Sequence, residues 1–160
     1  MINKKFIKTI VVTTLYTILC IIFSFMSFGL IQLRISELLC LLTIENPIYI
    51  IGISLGCFVS NLLLSPLGTI GAIVGTLASI VGCLLGYLFR NIKFKNFPLL
   101  SAILISLVNA IIIPLEMNYV LNNQAIFIYS FVEILISELI ILVFIGFPIY
   151  NKLLKIGKLK

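Results

Sequence analysis

Residues 46–89 read NPIYIIGISLGCFVSNLLLSPLGTIGAIVGTLASIVGCLLGYLF and carry no charged side chain. A helix rises about 1.5 Å per residue, so roughly 20 apolar residues span the hydrocarbon core of a bilayer. The run is long enough for two crossings, and Ser65-Pro66-Leu67-Gly68 stands at its middle, where Pro and Gly favour a turn. Working outward, residues 9–33 are also uncharged, and the basic residues fall into three clusters: Lys4, Lys5 and Lys8; Arg90, Lys93 and Lys95; Lys152, Lys155, Lys158 and Lys160. The positive-inside rule assigns all three clusters to the cytoplasm. The number of crossings from Lys8 to Arg90 is then even. Two would leave about 40 apolar residues each, whereas four use about 20 apiece. The same parity argument gives two crossings between Lys95 and Lys152, with an outer turn near Leu121-Asn122-Asn123-Gln124.

The expectation is an all-α, polytopic membrane protein, one membrane domain over residues 1–160. Six transmembrane helices are expected at about 7–26, 31–44, 47–64, 69–90, 97–120 and 125–149, with both termini cytoplasmic. Composition agrees: 62% of the 160 residues are hydrophobic and 10% charged, against about a quarter charged in soluble domains. The basic start, Met1-Ile2-Asn3-Lys4-Lys5, is similar to that of a signal peptide, but the apolar run after it is too long and lacks an A-x-A cleavage pattern, so it reads as a retained first span. Glu45-Asn46-Pro47 reads as a tight turn, since Pro suits the first position of a following helix, and Glu45 there reads as a solvated residue.

Several functions are excluded. The net charge of +6 comes from basic residues at membrane edges, which argues against nucleic acid as a partner. Histidine and aspartate are absent, removing zinc-protease motifs, His-dependent triads and aspartyl-phosphate chemistry. No G-x-x-x-x-G-K-[ST] occurs, so the chain has no P-loop with which to hold ATP. Cys20, Cys40, Cys57 and Cys83 show no ligand spacing and read as small core hydrophobes. No enzyme activity, cofactor or metal site is expected.

Small residues recur at spacing four: Gly52, Gly56 and Ser60; Gly71, Gly75 and Ser79; Ala78, Gly82 and Gly86. Such rows allow helices to approach closely, within the bundle or against another subunit. The first helix carries Thr9, Thr13 and Thr17 at the same spacing.

Against this apolar background the polar residues stand out. Arg34 and Glu37 interrupt the stretch from Ser27 to Leu39. A cation at the bilayer centre costs about 2.5–3.5 kcal/mol on insertion scales, which makes an intramembrane Arg a functional-site hypothesis. On a helix, i and i+3 share a face, so Arg34 and Glu37 are expected to look into one space and neutralise each other. Depth counting puts Arg34, Glu37, Asn61 and Glu116 at one level in the outer half, Asn109 near mid-membrane, Glu133 in the outer part of the last helix and Glu138 near its middle. The reading is a polar pocket open to the outside, against a structural ion pair for Arg34 with Glu37, interhelical hydrogen bonding for the two asparagines, and a headgroup-level position for Glu133. A guanidinium, carboxylates and amides suit a neutral or cationic planar ligand. A guanine-like edge fits, with a carboxylate accepting from two adjacent N–H groups and Arg or Asn donating to the carbonyl. Phe25, Phe28 and Tyr119 are candidates to stack on such a ring. Thiamine-like and amino-acid ligands are equally compatible with this chemistry.

The chain also resembles the queuosine-precursor transporter (QueT) family, the membrane substrate-binding S components of energy-coupling factor (ECF) importers. The resemblance rests on Ser27-Phe28-Gly29-x-x-Gln32-x-Arg34-x-Ser36-Glu37. It is supported by Ser60-Asn61-Leu62, Pro66-Leu67-Gly68, Gly75-Thr76-Leu77-Ala78, Val108-Asn109-Ala110, Glu116, Glu138 and Gly146-x-Pro148. It implies a six-helix plasma-membrane S component, a 7-deazaguanine ligand bearing a cyano or aminomethyl group, and import driven by separate cytoplasmic ATPases through a transmembrane coupling subunit. By this resemblance the substrate-binding set is Arg34, Glu37, Asn61, Asn109, Glu116 and Glu138, the motif selecting Glu138 over Glu133, and the coupling subunit docks at Thr13 and Thr17. Two positions depart from the family pattern. Thr13-x-x-x-Thr17 replaces A-x-x-x-A, and Gly71 stands where an acidic residue is common. The competing readings are a stand-alone proton-coupled secondary transporter using Glu116 or Glu138 as its proton carrier, and a non-transporting assembly protein with no small-molecule ligand.

Overall fold

The structure is a computed structural model and describes residues 4–27, 32–122 and 124–156, the side chains of 124–126 excepted. Phe28 and Gly29 of the motif, Asn123 of the expected outer turn, and Lys158 and Lys160 lie outside the described residues.

Among the described residues there is no strand element, and the elements are helices. The helices are α1 (Lys4–Ile22), α2 (Ser24–Ser27), α3 (Cys40–Glu45), α4 (Ile48–Leu64), α5 (Gly68–Leu88), α6 (Leu99–Leu121), α7 (Gln124–Leu139) and α8 (Gly146–Lys155). A 3-10 turn, Ile35–Leu39, leads into α3, and a π-helical stretch, Ile140–Ile145, joins α7 to α8. Four segments are long and apolar enough to cross a membrane: Lys4–Ile22, Gly68–Leu88, Leu99–Leu121 and Phe127–Lys155. Helix α4 is shorter, at 17 residues.

Local chemistry fixes the boundaries. Asn46 Oδ1 accepts the Ile48 N–H at 3.1 Å, satisfying an otherwise orphaned donor at the start of α4. Gly68 opens α5 with φ +57°, a conformation that costs glycine nothing. Lys95 and Asn96 both have positive φ, and Phe94 and Phe97 exchange backbone hydrogen bonds of 2.8 and 2.9 Å across them. That is a tight type I′-like turn. Asn122 ends α6 in the left-handed region, a common helix stop.

Helix α1 packs on α4, α4 on α5, α5 on α6, and α6 on α7, while the short segment from Ile35 to Glu45 sits inside, touching α1, α4, α5 and α6. Glycine rows set these approaches. A Cβ on Gly56 would lie 2.7 Å from Tyr16 Cβ and 3.0 Å from Thr13 O, and one on Gly86 would lie 2.9 Å from Ile105 Cδ1. The small-residue rows are thus used for packing within the chain, where close backbone approach maximises dispersion contacts.

The distribution of polarity is the reverse of that in a soluble bundle. Ile51, Leu63, Ile73, Leu77, Ile111, Leu115 and Ile136 are exposed on the outside, while Glu37, Asn61, Asn109 and Glu138 are buried. So large an apolar exterior is tolerable only against lipid. The buried polar groups meet one another inside, as a bilayer requires.

The helix expected at 31–44 differs most. Residues 32–34 are irregular: Arg34 has φ −93° and ψ 85°, outside helical geometry, and the helix begins only at Ile35. Glu45 also departs from the solvated reading. It accepts a hydrogen bond from the Tyr150 hydroxyl and lies 3.9 Å from Lys93 Nζ, so that α3, the α5–α6 connection and α8 meet at one carboxylate. Phe97 reinforces the junction, its ring edge-on to Phe147 and Tyr150 at 5.4 and 5.5 Å.

Candidate functional site

A cavity of about 210 Å³ opens at the end of the bundle where α4 turns into α5. Gln32 and Arg34 enter it from the irregular segment, Asn61 from the last turn of α4, Ser65 and Leu67 from the connecting turn, Gly71 and Gly75 from α5, and Glu116 and Met117 from α6.

Each polar wall residue has a support. Both backbone groups of Gln32 are taken by α7: its N–H donates to Glu133 Oε1, and its carbonyl accepts from Ser137 Oγ at 2.8 Å. The Gln32 side chain accepts from Arg34 Nη2 at 3.5 Å and reaches Met117 Sδ at 3.6 Å. Asn61 Nδ2 donates to Cys57 Sγ at 3.1 Å, the same sulfur that accepts from Ser79 Oγ at 3.3 Å. Asn61 has its room because Gly75 lacks a side chain; a Cβ there would come within 2.6 Å of Nδ2. Glu116 is 8% exposed, and its Oε1 is buried with no hydrogen-bond partner among the described residues. Pro114, two residues earlier, removes one backbone N–H from the helix beside it.

Of the six residues expected to bind substrate, the structure gathers Arg34, Asn61 and Glu116 around this cavity. The other three are turned elsewhere. Glu37 is fully buried, its Oε1 accepting from the Tyr16 hydroxyl at 2.5 Å and its Oε2 from Cys40 Sγ at 2.9 Å. The i, i+3 pairing with Arg34 does not form a shared helical face, because Arg34 precedes the helix while Glu37 lies within the 3-10 turn. Asn109 and Glu138 meet each other, Nδ2 to Oε1 at 3.2 Å, and Glu138 Oε2 is buried without a partner among the described residues.

The expected stacking rings are also elsewhere: Phe25 is 74% and Tyr119 88% exposed, and neither lines the cavity. On α1, Thr13 Oγ1 donates to Gly52 O at 2.9 Å and Thr17 Oγ1 to Gly56 O at 3.4 Å, so both hydroxyls face α4. All four cysteines are free and buried. Three are more than apolar filler: Cys57 supports Asn61 at the cavity, Cys40 binds the buried Glu37, and Cys20 Sγ lies 3.1 Å from Ser36 Oγ.

Sequence reasoning did not assign a role to Gln32, although it stands in the motif two residues before Arg34. Tyr16 and Ser137 carried no local signal, being ordinary residues of apolar helices whose partners are 21 and 105 positions away.

Comparison with known proteins adds an independent line. A protein of Lactococcus lactis subsp. cremoris (strain MG1363) described as the queuosine precursor transporter QueT is 38% identical over 88 residues, covering 54% of this chain and 50% of that protein. The chain thus aligns with about half the length of this curated relative. No solved structure matches it. The profile of the QueT transporter family matches residues 6–155, nearly the whole chain. This lipid-clad helical bundle with a polar cavity at one end therefore belongs to the QueT transporter family.

Proposed function

We propose that this protein is the substrate-binding S component of an energy-coupling factor importer of the plasma membrane, and that it takes up queuosine precursors as 7-deazaguanine bases. The observation that carries the reading is the cavity in which a guanidinium, two amides and a carboxylate face a space walled by Gly71 and Gly75. The description of the Lactococcus relative as a queuosine precursor transporter supports the same ligand class. At about 210 Å³ the cavity lies below the roughly 300–1,000 Å³ of pockets for drug-sized ligands. That size favours a bare bicyclic base over its nucleoside.

In this reading the chain crosses the membrane six times. The clusters around Lys4, Arg90 and Lys152 face the cytoplasm, both termini are inside, and the cavity opens outward. Arg34, Asn61, Gln32 and Glu116 contact the ligand; Glu37, Asn109 and Glu138 hold the helices that carry them. Energy comes from separate cytoplasmic ATPases acting through a transmembrane coupling subunit. Thr13 and Thr17 contribute to that docking by holding α1 flush against α4, which shapes the outer face of α1.

The test is calorimetric binding of the cyano and aminomethyl 7-deazaguanine bases, guanine and the nucleoside to the purified chain, followed by uptake in cells with and without a coupling subunit and its ATPases. Base binding with ATPase-dependent uptake is the expected outcome, and binding of none of the compounds overturns the reading.

A second reading has its own observation. Glu116 and Glu138 each bury one carboxylate oxygen with no partner among the described residues, as a proton carrier would. A proton-coupled secondary transporter predicts uptake into vesicles containing this chain alone, driven by a pH gradient.

A further inference from the structure

We infer that Glu116 is the residue that sets ligand specificity, its carboxylate accepting two adjacent N–H groups from the edge of a guanine-type base. This rests on the proposed function and gives one residue of the expected substrate-binding set its own part in recognition.

The chain has five acidic residues, all glutamate. Glu45 binds the Tyr150 hydroxyl and faces Lys93. Glu37 has one oxygen on Tyr16 and the other on Cys40. Glu133 holds the Gln32 backbone, and Glu138 holds Asn109. Glu116 alone among them lines the cavity, more than nine-tenths buried, with an oxygen that finds no donor among the described residues. A buried acceptor left unsatisfied costs about 1–3 kcal/mol, and a ligand that brings the missing donor recovers that cost.

The donor geometry follows from the carboxylate. Its two oxygens match two parallel N–H groups, which a guanine-type edge presents as its ring N1–H and exocyclic 2-amine. Arg34 and the Gln32 amide, on the same cavity, supply donors for the neighbouring carbonyl oxygen. Gly71 and Gly75 also line the cavity, and the room left by their missing side chains is taken by Ser65 Oγ and by Asn61 Nδ2, which brings the Asn61 amide to the cavity wall. An adenine-type edge would turn its N1 lone pair toward the carboxylate and is rejected by repulsion, while a hypoxanthine-type edge satisfies only one oxygen.

The experiment compares 7-deazaguanine with 7-deazahypoxanthine, which differs only by the missing 2-amine, by calorimetry on the full chain in detergent micelles. The wild type is expected to prefer 7-deazaguanine at least tenfold, about 1.4 kcal/mol. In Glu116→Gln that preference is expected to fall below about threefold. A wild type that binds both bases equally overturns the inference while leaving the proposed function standing, as does a Glu116→Gln variant that keeps the full preference. A wild type that binds neither base overturns both. A wild type without the preference overturns the inference even if the variant does not fold.

Discussion

The Tyr16 hydroxyl of α1 donates to Glu37 Oε1 at 2.5 Å, joining the first helix to the buried turn that leads out of the cavity segment. Both partners are essentially without solvent contact, so the bond is one whose loss water cannot repair. Tyr16→Phe removes the donor and leaves the carboxylate with Cys40 as its hydrogen-bond donor among the described residues. The expected cost is about 1–3 kcal/mol of stability, read as a lowered thermal unfolding midpoint. Because Glu37 does not line the cavity, the preference among bases should be unchanged in this variant. Arg34→Ala should behave in the opposite way, weakening binding at least about tenfold. Unaltered affinity in Arg34→Ala would remove the guanidinium from the site.

The α1–α4 seam offers a second test. Gly56→Ala places a methyl 2.7 Å from Tyr16 Cβ and 3.0 Å from the Thr13 carbonyl. Neither atom belongs to a flexible side-chain end, so the helices must separate. Overpacking of this kind costs about 1–3 kcal/mol. Gly82→Ala, whose new Cβ would meet Ile105 at 3.5 Å or more, should be far milder. Thermal unfolding of the two variants side by side measures the difference, and equal midpoints would contradict the packing described.

How much of this was legible in the sequence depends on what fixes each feature. The bounds of α4, α5 and α6 follow from apolar length and from Pro and Gly at the turns, because a helix in lipid must satisfy its own backbone. Expected and observed ends accordingly agree within two residues. The face shared by Arg34 and Glu37 was misjudged because it assumed helix through 31–34. There the backbone of Gln32 is satisfied by Glu133 and Ser137, 101 and 105 positions away, and no local pattern encodes that. Depth counting put Glu116 and Asn61 at one level, and both line the cavity. It grouped Glu37 with them because depth along a helix says nothing of the direction a side chain takes from it.

The hold of α7 on Gln32 leads to a third prediction. Glu133→Ala removes the acceptor of the Gln32 N–H and Ser137→Ala the donor to its carbonyl, so the segment carrying Gln32 and Arg34 loosens. Amide exchange over residues 32–34 should quicken in both variants, and ligand dissociation should quicken with it. Glu133→Gln keeps an acceptor oxygen and should stay close to wild type. Slow exchange in Glu133→Ala would show that the segment is held by something other than these two bonds.

At the opposite end, the Lys93–Glu45 pair and the Tyr150–Glu45 bond share a carboxylate but differ in exposure. The lysine side chain is 40% exposed and 3.9 Å away, a geometry worth about 0–1 kcal/mol. Tyr150 is buried. Lys93→Ala should therefore shift the unfolding midpoint little, and Tyr150→Phe clearly more. The reverse order would mean that charge, rather than the buried hydroxyl, holds the α3–α8 junction.

Gly71 supplies the last prediction. It lines the cavity on the α5 side, with Glu116 on α6 also lining it, and among the described lining residues Arg34 and Glu116 are the charged side chains. Their charges cancel, so the cavity suits a neutral base, and a cyano-bearing 7-deazaguanine should bind more tightly than its cationic aminomethyl counterpart. Gly71→Asp adds a second carboxylate. The new Cβ would meet Ser65 Oγ at 2.3 Å, Ser65 Cβ at 3.1 Å and Leu67 Cβ at 3.3 Å, so the hydroxyl must rotate aside, losing its 3.2 Å bond from the Leu67 N–H, and the turn must also shift slightly. With the cavity then net negative, the preference should move toward the aminomethyl base by about tenfold, the effect of about 1.4 kcal/mol. It should weaken as salt is added, since partly open charge pairs are screened. Calorimetry of both bases against wild type and variant at two ionic strengths measures it. A preference that does not move on adding the carboxylate would mean that the 7-substituent points away from α5.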